Sequence, residues 1–142
     1  MDTADIRRRV KRAIADARAG AAARRARVAE AETEGQEMLR RVVAPLFKTV
    51  AAALRAEGFS FSVSTPPGTV RLSTGTSGED FMELALDTTR DPPALLGRTA
   101  HVRGRRVVSE ERIVAEHPAI GDLTARAALD FVLEALPPFV ER

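Results

Sequence analysis

The pattern of apolar and polar positions divides the chain near Gly35. Residues 36–142 contain 33 large apolar side chains, including all six Phe. Residues 1–35 contain only five: Met1, Ile6, Val10, Ile14 and Val28. Because so few side chains cannot form a hydrophobic core, we predict an N-terminal arm over residues 1–35 and a compact domain over residues 36–142.

The arm has the composition of a helix. Ala and Arg, both strong helix formers, dominate it, and Pro is absent. Apolar and small residues recur in alternating steps of four and three, the heptad pattern of a coiled coil, although the pattern is a poor one because Arg24 and Gly35 also lie on it. We define the seam as the five members of this pattern that we expect to form a contact: Val10, Ile14, Ala17, Ala21 and Val28. Small residues at its centre would let a second helix approach closely.

Two further helices are predicted in the compact domain. Apolar residues recur at helical spacing over about 37–57, where Gly58 would end the helix and Pro45 would mark a kink or a helix start. A C-terminal helix is predicted over about 124–136, with Thr124 as its N-cap. The pair Pro137-Pro138 would end this helix and leave a short tail.

Between these helices the apolar residues alternate with polar ones, which is typical of strands with one buried face. The strands are predicted over about 59–115, separated by turns at Pro66–Gly68, at residues 74–78 and at Gly104-Arg105. The order of helix, about five antiparallel strands and helix indicates an α+β fold. We expect a two-layer sandwich with the helices packed on one face of the sheet.

Composition limits the chemistry of the chain. It lacks Cys, which excludes disulfides and thiolate chemistry and fits a reducing compartment. No run of about 20 apolar residues could cross a membrane, and no apolar segment near Met1 resembles a secretory signal. We therefore expect a cytoplasmic protein with no membrane partner.

No catalytic, cofactor-binding or metal-binding residue is predicted. His101 and His117 lack the spacing of a metal site, and we expect both on the surface. The loop Gly75–Gly78 lacks the pattern of a nucleophile or a phosphate-binding loop. Carboxylates that could bind Mg²⁺ or transfer protons cluster along the third strand and its exit loop: Glu79, Asp80, Glu83, Asp87 and Asp91. We interpret them as a solvated face, with Arg71 as a cross-strand partner of Glu83.

Charge is distributed unevenly along the chain. The formal net charge is +2, yet residues 1–27 hold nine basic and three acidic residues. Four basic residues fall on one face of the predicted helix: Arg7, Lys11, Arg18 and Arg25. We call these four residues the basic row, and Arg8 and Arg12 lie beside it. A predicted hairpin tip adds Arg103, Arg105 and Arg106. Such a helix could neutralise phosphates of a nucleic acid, although no aromatic residue lies among its basic residues to stack on bases.

These patterns favour a non-enzymatic interaction or assembly protein. Its helical arm and α+β domain would bind a protein partner or a second copy in a homo-oligomer, because an isolated helix gains little stability in water. The first alternative is a sequence-nonspecific nucleic-acid-binding protein that uses the Arg-rich arm. The second alternative is an enzyme with no recognisable motif.

Overall fold

A long helix begins the chain in the structure, a computed structural model that describes residues 1–75 and 78–141. Helix α1 spans Thr3–Met38, and its N-cap Asp2 accepts a hydrogen bond from the backbone N–H of Asp5 at 2.8 Å. A π-helical turn, Leu39–Val43, connects it without a break to helix α2, Ala44–Ala56. The predicted helix over 37–57 is thus the last part of a helical stretch that starts at Thr3.

The π-helical turn lies immediately before the proline of this stretch. The N–H of Ala44 donates to the carbonyl of Leu39, five residues earlier, which is the π pattern. Pro45 then lies in the first turn of α2, directly after the π-helical turn, where its missing N–H removes one backbone hydrogen bond from the continuous helical stretch. At Pro45, where a kink or a helix start was predicted, the helical stretch continues and changes from π to α geometry. Gly58 adopts a φ of 90° just beyond α2, which confirms it as the residue that ends the helix.

Five antiparallel strands follow, and each pairs with the next along the chain. They are β1 (Ser62–Ser64), β2 (Thr69–Thr74), β3 (Asp80–Asp87), β4 (Ala94–Arg103) and β5 (Arg106–Glu116). The predicted α+β class is confirmed, although β1 is shorter than the alternating pattern from residue 59 suggests. Thr76 and Ser77 of the predicted loop, and Arg142 of the predicted tail, lie outside the described residues.

One face of the sheet packs against the helices. Five strand residues belong to the same buried apolar cluster as residues of α1, α2 and the C-terminal helix: Val70, Leu72, Met82, Leu84 and Leu95. That helix, α3, spans Ala125–Ala135, and its predicted N-cap Thr124 accepts from the N–H of Ala127 at 3.1 Å.

The C-terminal segment differs from the predicted tail. The two prolines begin a further helical turn, α4 (Pro137–Val140), because Pro is well suited to the first positions of a helix. The ring of Phe139 contacts the rings of Phe61 and His101 edge to face, with centroids 6.2 and 5.8 Å away. His101 is therefore half-buried, and the segment closes one end of the core.

The opposite face of the sheet carries a row of charged residues that crosses four strands. Cross-strand register aligns Arg71, Glu83, Arg98 and Glu111. Nε and Nη2 of Arg71 donate to Oε1 of Glu83 at 3.1 and 2.8 Å, which confirms the predicted ion pair. However, the side chain of Glu83 is only 4% exposed, so it does not belong to a solvated face as we predicted. It lies on the central strand, where neighbouring strands shield it on both sides.

Residues 27–38 of α1 attach the long helix to the compact domain. Ala31, Gly35 and Met38 are buried, and Gly35 lies against the side chain of Leu86. Two polar contacts flank this attachment: the ion pair of Arg27 with Asp91, at 3.3 Å between Nη2 and Oδ1, and the approach of His117 to Glu30, at 3.4 Å between Nε2 and Oε2 without a hydrogen bond. The side chain of His117 is 12% exposed, in contrast to the predicted surface position, because it is packed beneath α1.

Candidate assembly surface on the N-terminal helix

Most of α1 extends away from the compact domain. Between Thr3 and Ala26 every residue is exposed except Asp5 and Ala21, which are half-buried. At 1.5 Å per residue, this part is about 36 Å long. We call residues 3–26 the projecting helix.

A short row of apolar residues lies along the projecting helix. Ile6, Val10 and Ile14 are spaced four residues apart, so they lie on one side of α1. Their exposed fractions are 47%, 52% and 47%. Of the predicted seam, Val10, Ile14 and Ala17 are exposed, whereas Ala21 and Val28 are half-buried. The predicted seam omits Ile6, although its spacing from Val10 is a sufficient signal to include it.

The seam leads directly into the buried part of α1. Continuing the heptad steps beyond Val28 gives Ala31, Gly35 and Met38, all of which are covered by the compact domain. One stripe of the helix is therefore buried over its second half and open to solvent over its first half. Within the open half, a shallow depression of about 340 Å³ is lined by Ala21, Arg24, Arg25, Val28, Ala29 and Glu32.

The basic residues identified in the sequence are all exposed. The basic row of Arg7, Lys11, Arg18 and Arg25 runs beside the apolar residues, and Arg8 and Arg12 lie on the adjoining surface. Arg8 forms an ion pair with Asp5, one turn earlier. The tip of the β4–β5 hairpin presents Arg103, Arg105 and Arg106 to solvent, with Gly104 in the turn at a φ of 66°.

The carboxylates considered for catalysis form contacts within the fold. Oδ1 of Asp80 accepts from the backbone N–H of Val102 at 2.7 Å, and Asp91 pairs with Arg27. Oδ1 of Asp87 accepts from the hydroxyl of Thr89 at 2.6 Å and from its backbone N–H at 2.9 Å. These hydrogen bonds hold the pKa of Asp87 below its usual value, although partial burial opposes them.

Among residues 1–75 and 78–141, no three His, Cys, Asp or Glu side chains are arranged to hold a metal ion.

Two depressions of the compact domain lie next to α3 and next to the π-helical turn. One, of about 180 Å³, lies beside Gly97 and Phe131 and is crossed by the ion pair of Arg112 with Glu134. The other, of about 310 Å³, separates the π-helical turn from the β1–β2 turn at Pro66. The first is smaller than a typical ligand pocket and the second is at the lower limit of the range.

Comparisons with known proteins give no match: no family model, no curated protein and no solved structure corresponds to this chain. Within the described part of the chain, no helix combines the length and the apolar character needed to span a bilayer.

Proposed function

We propose that this chain is a non-enzymatic assembly protein whose projecting helix docks on a protein partner or on a second copy of the chain. The observation that carries the proposal is the exposed row of Ile6, Val10 and Ile14 on the projecting helix. Ile and Val are weaker helix formers than Ala or Arg, so helix propensity does not favour them on a solvated helix. Covering them would release up to about 1.5–3 kcal/mol for each side chain fully removed from water. The absence of Cys fits a cytoplasmic location for such an assembly.

The attachment of α1 also supports docking. The contacts of Arg27, Glu30 and Ala31 with the compact domain fix the direction in which the projecting helix leaves it. A surface that is already ordered loses less conformational entropy on binding than a disordered segment would. The projecting helix is therefore suited to serve as a preformed docking element.

The proposal is tested with two double variants of equal composition and charge. Ala17→Glu with Ala21→Glu places two carboxylates in the seam. The control, Ala19→Glu with Ala23→Glu, places them on the opposite side of the projecting helix, where both positions are exposed. Light scattering should show a lower mass for the seam variant alone, because charges buried in a closely packed contact are repulsive and desolvated. Equal masses for the wild type and both variants, together with unchanged complex formation with other proteins, would contradict a contact through the seam.

A second candidate function, nonspecific binding of nucleic acid, is favoured by the exposed basic row. Its test replaces Arg7, Lys11, Arg18 and Arg25 by Gln, which preserves helix propensity. If these side chains bind phosphates, duplex affinity should fall. The slope of log K against log salt should also become shallower by about 0.9 for each phosphate that the variant no longer neutralises. Absence of wild-type binding to DNA and RNA at low salt would exclude this candidate.

A further inference from the structure

We infer that the tip of the β4–β5 hairpin is a separate site that binds double-stranded DNA, without sequence preference, by entering its major groove. We call residues 102–107 the hairpin tip: Val102, Arg103, Gly104, Arg105, Arg106 and Val107. The hairpin tip belongs to the compact domain, so this activity goes beyond docking of the projecting helix on a protein partner.

The hairpin tip carries positive charge that the fold does not neutralise. Residues 92–109 contain no Asp or Glu but hold four Arg, three of them in the tip. Arg103, Arg105 and Arg106 are exposed, and none of them forms an ion pair with another described residue. All three guanidiniums are therefore available to an anion outside the chain.

The positions of these arginines are unfavourable for the hairpin itself. Arg103 and Arg106 lie directly opposite each other in the register of β4 and β5. Like charges at directly opposed positions destabilise a strand pair. In the same two strands, by contrast, Arg98 faces Glu111 and its Nε donates to the carboxylate at 2.9 Å. Phosphates bound beside Arg103 and Arg106 would remove their repulsion.

The hairpin tip also extends beyond the rest of the sheet. The pairing of β3 with β4 ends at Phe81 and Ala100, whereas β4 continues to Arg103. The backbone N–H of Val102 donates to Oδ1 of Asp80 at 2.7 Å, which holds the base of the hairpin against β3. The tip is therefore an anchored two-stranded ribbon that can enter a concave surface.

The size of this ribbon favours a DNA groove over an acidic protein. Paired strands lie about 4.8 Å apart, and the major groove of B-form DNA, about 12 Å wide, admits such a ribbon. A ribbon three residues long covers on the order of 100 Å² on each face, whereas a standard protein interface buries about 800 Å² per partner. Binding to phosphates does not require a large area, because it is driven by the release of counterions.

Other nucleic acids fit the hairpin tip less well. The major groove of an RNA duplex is too deep and narrow for side chains to read. A single strand is bound largely by stacking of its bases on aromatic side chains, and the tip contains none.

The two faces of the ribbon suit the two components of a groove. Val102 and Val107 are directly opposed and are 41% and 51% exposed. Because successive strand residues point to opposite faces, the two Val share one face, whereas Arg103 and Arg106 share the other. In a groove the guanidiniums would bind phosphates, while the Val pair would contact apolar groups such as the methyl of thymine.

The hairpin tip lies at the end of β4 that is remote from α1. Asp91, which contacts Arg27 of α1, precedes β4 by three residues, and β4 ends at Arg103. The nine steps from Ala94 to Arg103, at about 3.3 Å each, place these ends about 30 Å apart. The tip and the basic row should therefore contribute independently to DNA affinity.

The test compares two triple variants that lose the same charge. The tip variant carries Arg103→Gln, Arg105→Gln and Arg106→Gln. The control carries Arg41→Gln, Arg55→Gln and Arg126→Gln, at exposed positions on other elements. Fluorescence anisotropy measures binding of each full chain to a labelled DNA duplex over a series of salt concentrations, and thermal unfolding checks that each variant is folded.

We expect weaker DNA binding by the tip variant alone. Its slope of log K against log salt should be shallower by up to about 2.7, which is about 0.9 for each of three phosphates. The single variant Arg105→Gln leaves the paired positions of the strands unchanged and should reduce the slope by about 0.9. The wild type should bind an RNA duplex of the same sequence, and polyglutamate, more weakly than the DNA duplex.

Three results would overturn this site. The first is equal affinity and equal slope for the tip variant and the control. The second is absence of wild-type binding to duplex DNA at low salt. The third is binding of the RNA duplex or of polyglutamate as tightly as the DNA duplex, which would contradict entry into the major groove. None of them bears on docking of the projecting helix, which is tested by the mass of the seam variants.

Discussion

At the scale of single residues, the tightest surroundings of any described glycine lie beneath α3. A Cβ atom on Gly97 would lie 2.4 Å from Cε1 and 2.6 Å from Cδ1 of Phe131, closer than any real contact of this kind. The ring is only 3% exposed and lies in the core, so it has little room to move. Gly97 is needed here because it leaves space for Phe131, not because the backbone requires an unusual φ.

We therefore expect Gly97→Ala to reduce the free energy of unfolding by about 1–3 kcal/mol, the cost of overpacking a core. Chemical denaturation measures this change. Gly20→Ala is the control, because it lies in the middle of α1 with no atom within 4 Å of the added Cβ. Gly20→Ala should raise helicity slightly, because the helix propensity of Ala exceeds that of Gly by about 1 kcal/mol. Equal stability of Gly97→Ala and the wild type would show that Phe131 is not held as described.

The buried carboxylate of Glu83 provides a second test at this scale. Replacing it by Ala leaves the guanidinium of Arg71 without its acceptor, and we expect a loss of about 2 kcal/mol, typical of a hydrogen-bonded charged group. Glu111→Ala is the matched control on the same face. Its ion pair with Arg98 has a similarly short distance, 2.9 Å, but its side chain is 47% exposed, so its removal should cost less than about 1 kcal/mol. A larger loss for Glu111→Ala than for Glu83→Ala in urea unfolding would contradict the assigned burial.

Asp87 gives a prediction about pH. Its pKa is lowered in the folded state, so its stabilising effect is complete above the unfolded-state value of about 3.9 and is lost as the pH falls through the folded value. Asp87→Asn should therefore be less stable than the wild type between pH 5 and 7, by about 1 kcal/mol for the altered hydrogen bonds to Thr89. The difference should shrink below about pH 4. Thermal unfolding of both proteins across this pH range measures the difference. A stability difference that stays constant with pH would contradict the role assigned to Asp87.

At the scale of elements, the spacing of apolar residues predicted the strands and helices that depend on local sequence patterns. The alternation in residues 69–115 located strands β2 to β5. Helical spacing located α3 closely, whereas the predicted helix over 37–57 begins inside α1 and includes the π-helical turn before α2. The π geometry at Leu39–Val43 was not predictable, because the sequence pattern there suits a π turn and an α turn equally well. The helical turn at Pro137–Val140 was missed for a related reason: Pro both ends one helix and begins another.

The contacts of α1 predict the result of two truncations. Removing residues 1–24 deletes almost no buried surface, so the remaining chain should retain the wild-type melting temperature. Removing residues 1–35 also deletes Ala31 and the contacts of Arg27 and Glu30, so the domain should still fold but melt at a lower temperature. Calorimetry measures the melting temperature of each truncated chain and so distinguishes the two expected results. A substantial decrease in melting temperature on removing residues 1–24 would show that the projecting helix stabilises the domain.

At the scale of the whole molecule, the sequence indicated where the chain could bind but not which residues the domain would cover. The heptad pattern runs from Val10 through Met38 with Arg24 and Gly35 on it, and nothing in the pattern shows that its second half is buried and its first half is open. That distinction depends on tertiary contacts such as Gly35 with Leu86, which join residues far apart in the chain and cannot be deduced from spacing. The burial of Glu83 cannot be deduced from spacing either, because it comes from the strands on both sides.

The measurement that tests the central claim most directly is sedimentation of the full chain and of the chain lacking residues 1–24, across a wide concentration range in physiological salt. We predict that the mass of the full chain rises from 15.3 kDa toward twice that value as the concentration increases, while the truncated chain keeps the mass of one copy throughout. Self-association of both chains to the same degree would contradict assembly through the projecting helix, and self-association of neither would exclude a second copy of the chain as its partner.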